Sequence, residues 1–90
     1  MPSLNSNSDL YDYLERVQSY LRDHGAFDLA DSVKRAMQQA SSLSTEFLGE
    51  ARLVLLKVLE ADQVTADAEW ARELHNAIGQ LDVALERRKG

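Results

Sequence analysis

"FLGEARLVLLKVLE", residues 47–60, places six Leu or Val residues in the seven positions from Leu53 to Leu59. A helix on the surface of a globular protein needs only one apolar stripe. At about 100° per residue, Phe47, Leu48, Ala51, Val54, Leu55, Val58 and Leu59 fall within an arc of roughly 140°. That arc is an adequate core face. Glu50, Arg52, Lys57 and Glu60 lie outside it, and so do Gly49, Leu53 and Leu56. The last three have the spacing i, i+4, i+7, which makes a second and narrower seam. A mid-helix glycine costs about 1 kcal/mol relative to alanine. It also removes a side chain, so another backbone can approach closely. The seam can be read in three ways: as the second flank of a central helix, as an interface, or as leucine left at the surface, where single apolar side chains are ordinary.

The rest of the chain repeats the helical period. Ser8 predicts an N-cap, with Asp9 and Asp12 where the first turn favours negative charge. A helix over 9–23 follows, with Leu10, Tyr13, Leu14, Val17, Tyr20 and Leu21 on one face. His24 reads as a packing or C-terminal capping residue, and Gly25 as a left-handed stop. A second helix over 28–39 carries Leu29, Ala30, Val33, Ala36 and Met37, and Phe27 just before it is expected to pack into the core. "SSLS" at 41–44 breaks the pattern because serine side chains compete for backbone hydrogen bonds. Ser44 or Thr45 then caps a third helix over 45–61. "ADQVT" reads as a turn in which Thr65 caps a fourth helix over 66–88, striped by Trp70, Ala71, Leu74, Ala77, Ile78, Leu81, Ala84 and Leu85. The expected fold is all-α: a compact antiparallel four-helix bundle with helix three central. Residues 1–8 are expected to be a flexible segment ahead of one helical domain, 9–90.

Composition agrees with this class. Pro2 is the sole proline, there are four glycines, and good helix formers dominate. With no cysteine, disulfides, thiolate metal sites and thiol catalysis are excluded. The opening "MPSLNSNS" has no basic, apolar leader pattern, and no apolar run approaches the roughly 18 residues of a bilayer span. The expectation is a cytoplasmic protein. A net charge of −5 argues against nucleic acid or an anionic membrane as partner and leaves room for a basic protein.

Catalytic or metal chemistry finds little to stand on. His75 has no His, Asp or Glu three or four residues further on, and Asp82 is too far along the helix. Phosphate-loop, EF-hand and nucleophile-elbow patterns are absent. No cofactor is expected. The expected function is a non-enzymatic protein-interaction module that self-associates, with a homodimer as the expected form, through Gly49, Leu53 and Leu56 with Tyr11 and Tyr20 of helix one. The alternative is a small acidic inhibitor or immunity-type protein. It would meet a basic partner, such as a nuclease toxin, through Asp62, Asp67, Glu69 and Glu73.

Overall fold

The structure, a computed structural model, describes residues 4, 6–38 and 44–89. Its elements are α1 (Asn7–Asp23), α2 (Phe27–Met37), α3 (Ser44–Leu59), the single turn α4 (Asp62–Thr65) and α5 (Ala68–Lys89). The described residues hold four long helices in a compact bundle, as the periodicity predicts.

Local chemistry sets the ends. The α1 cap is Ser6 rather than Ser8: its hydroxyl accepts from the Asp9 backbone N–H, and the helix starts two residues early. Leu4 N–H donates to Gln80 Oε1 of α5 at 2.8 Å. Residues 1–3 and 5 of the segment expected to be flexible lie outside the described residues. At the other end of α1, Gly25 takes φ +78 and Ala26 N–H returns to the Leu21 carbonyl at 2.8 Å, a Schellman closure. The three residues 24–26 therefore reverse the chain, and α2 lies back along α1. His24 caps as expected, its Nδ1 lying 2.9 Å from the Tyr20 carbonyl oxygen.

Two expectations need correcting here. Phe27 is 63% exposed at the first position of α2 and does not enter the core. The "ADQVT" turn is itself helical, and it drops Val64, fully buried, onto the core. Asp67, not Thr65, caps the last helix, through Trp70 N–H to Asp67 Oδ1 at 3.3 Å. The serine break at 41–43 and the capping side chains of Ser44 and Thr45 lie outside what the structure describes.

The core is one cluster fed by every helix: Leu10, Leu14, Val17 and Leu21 from α1, Val33 from α2, Phe47, Leu55 and Val58 from α3, Val64 from α4, Leu74 and Leu81 from α5. α3 packs against α2, α5, α1 and α4, which places it at the centre. Arg52 of α3 and Asp82 of α5 pair across the α3–α5 flank. The α1–α5 side is closed by long side chains. Tyr20 and Trp70 pack with ring centroids 4.5 Å apart and planes tilted by 38°, and Arg16 lies 5.7 Å over the Trp70 ring and 3.8 Å from Glu73. None of the described helices is long and apolar enough to cross a membrane.

Candidate interaction surface

With α3 at the centre, its second seam can be judged residue by residue. Leu56 is half-buried against the core, so it belongs largely to the monomer. Gly49 is half-buried, and a Cβ built on it meets nothing within 4 Å. Among the described residues no other element therefore comes close to the Gly49 Cα. Leu53 is 53% exposed in the middle of the helix. The three do not share one fate: the seam frays outward from Leu56 to Leu53.

Leu53 is not an isolated surface leucine. It forms one wall of a shallow groove with Glu50 and Lys57 of its own helix, while Ser32, Arg35 and Ala36 of α2 form the facing wall. The groove follows from the helix wheel. Glu50, Leu53 and Lys57 lie within roughly 60° of arc on the side of α3 that looks past α2. The polar members are short or terminally charged, so the floor of the groove is Leu53, Ala36 and the edge of buried Val54.

The two tyrosines assigned to the same surface separate. Nine residues of α-helix turn through about 180°, so Tyr11 and Tyr20 occupy opposite flanks of α1. Tyr11 is exposed at 39%. Tyr20 is half-buried and committed inward: it packs against Trp70 and stacks on His24, and its hydroxyl donates to Asp67 Oδ2 at 3.4 Å. Its burial, together with the adjoining Asp67 carboxylate, raises the hydroxyl pKa. Tyr11 and Tyr20 are thus two separate features, and Tyr20 serves to seal α1 to α5.

Comparison with known proteins gives no family: no protein-family model, curated protein or solved structure matches the chain.

The acidic patch also divides. Asp67 is spent on the α5 cap and on Tyr20, and Glu73 pairs with Arg16. Asp62 and Glu69 are exposed. Two of the four carboxylates thus stabilise the α1–α5 seam, and what faces solvent is a weaker field than the sequence suggests. His75 is exposed on α5, and no group of three or more His, Asp or Glu side chains among the described residues could hold a metal ion.

Two further features escaped the periodicity. Val83 is 54% exposed on α5 beside Gly79, lining a groove of about 670 Å³ whose far side is Leu4. Its charged lining is Arg87, with His75 alongside. The second is the hydroxyl of Tyr13: the residue is 1% exposed on the apolar face of α1, and this hydroxyl has no hydrogen-bond partner among the described residues.

Proposed function

We propose that the protein is a non-enzymatic interaction module that associates with a second copy of itself through the outer face of α3, with Leu53 as the anchor. The observation that carries this reading is the half-exposed Leu53 at mid-helix, set in a groove rather than on a convex surface. Exposed apolar anchors seated beside a concavity suit a helix-on-helix contact. The other exposed apolar residues are less suited. Phe27 stands at a helix end, and the Val83 groove carries cationic but no anionic side chains, which disfavours self-pairing. A cytoplasmic setting belongs to the same proposal and rests on the cysteine-free composition. The acidic-inhibitor reading draws less support, because Asp67 and Glu73 already have partners within the chain.

The patch is small beside the roughly 800 Å² per partner of a standard interface, so association should be weak, on the order of 10 μM to 1 mM. Sedimentation equilibrium across that range, on the wild type and on Leu53→Glu, tests the proposal. The expected result is a concentration-dependent dimer for the wild type and a folded monomer for the variant. A wild type that stays monomeric throughout, or a variant that dimerises equally well, overturns it.

A further inference from the structure

The same face specifies how two copies would meet. Glu50 and Lys57 flank Leu53 on one side of α3, at positions symmetric about the Leu53–Val54 peptide. They are seven residues apart, about 10.5 Å along the axis, too far to pair within one helix. Neither has an ion-pair partner among the described residues. An isologous two-fold interface must be complementary to itself. Two arrangements of a helix against its copy satisfy a two-fold axis. With parallel helices, Glu50 would face Glu50 and Lys57 would face Lys57. With antiparallel helices crossing at the Leu53–Val54 peptide, each Glu50 faces the Lys57 of the other copy, and the two Leu53 side chains meet between the pairs.

We infer that the second copy docks antiparallel along α3 in this register, with two symmetric Glu50–Lys57 pairs bracketing a Leu53–Leu53 contact. This rests on the self-association proposed above. Arg35 on the α2 wall adds a second cation at the rim of the groove. Gly49, with open space where its side chain would be, leaves the opposite flank of the helix clear for the crossing.

Charge-swap complementation tests the register. Both positions are exposed and form no ion pair among the described residues, so Glu50→Lys and Lys57→Glu should each fold as the wild type does, which circular dichroism verifies. Each single swap changes both symmetric pairs to like charges and should weaken self-association by about tenfold. Mixing the two single variants re-creates opposite charges at both pairs. So does the double variant Glu50→Lys/Lys57→Glu. Both should return to within about threefold of the wild-type dissociation constant at low salt. If the single swaps leave association unchanged, or the double variant is as weak as the singles, the antiparallel register is wrong. Leu53→Glu, run alongside, separates the two claims. If it abolishes association while the swaps do nothing, the α3 face stands and only the register falls. A monomeric wild type removes both.

Discussion

At the scale of single residues, Tyr13 is the most instructive. It lies on the apolar face of α1 where a leucine would serve, 1% exposed and with a hydroxyl that has no hydrogen-bond partner among the described residues. A buried hydroxyl that gains no partner has lost its water without compensation. Burial first, and the nearby Glu73 carboxylate second, push its pKa upward, so the folded state holds the neutral phenol. The sign of the pH effect follows. Above about pH 10 the unfolded tyrosine releases a proton that the folded one keeps, so stability falls as pH rises through that region. Tyr13→Phe should therefore stabilise the protein by about 1 kcal/mol at neutral pH and flatten part of the alkaline loss. Urea titrations at pH 7 and at pH 10.5 measure both. A destabilised variant would mean that the hydroxyl is satisfied after all. Composition gave no warning of this residue. The helical period places the ring on the apolar face, and the packing of α1 against its neighbours takes the hydroxyl under with it.

At the scale of elements, the four long helices were legible because each writes its period over at least three turns. The ends were less so. Ser6 and Ser8 are both competent caps, and the choice depends on the Ser6 hydroxyl reaching the Asp9 N–H, a geometric matter that residue type does not decide. The short α4 was misread for a different reason. Four residues carry no period, and "ADQVT" has the composition of a turn. What makes it helical is tertiary: the turn lets Val64 reach the core between α3 and α5. Val64→Ala should accordingly cost about 2 kcal/mol, the loss of two buried methyl groups plus the cavity they leave. Leu53→Ala, although it removes a larger side chain, should leave the monomer stable to within about 0.5 kcal/mol. Chemical denaturation of the two variants side by side checks the contrast. Comparable losses would place Leu53 in the core.

At the scale of the whole molecule, the opening stretch had posed the question of what lies on the second side of α3. Periodicity established that an extra seam exists, because the apolar arc was too wide for one neighbour. It did not reveal how three residues on that seam would be divided, since that depends on how far α5 reaches around α3. The structure gives Leu56 to the monomer, leaves Gly49 open and exposes Leu53. Tyr20 and half of the acidic patch were assigned outward by residue type and turn out to hold α1 against α5. In both cases a polar or aromatic side chain at the margin of a stripe was the ambiguous kind, because a neighbouring helix can claim it.

Self-association through the outer face of α3, as proposed above, is open to a direct measurement. Amide chemical shifts followed by two-dimensional NMR on dilution, from about 1 mM to about 20 μM, localise any such contact without altering a residue. The expected shifts on dilution concentrate on Glu50, Leu53 and Lys57 and on Ser32 and Ala36 across the groove, with α5 beyond Gly79 unmoved. Shifts that cluster instead around Val83 or Phe27, or spectra that superimpose at every concentration, would contradict it.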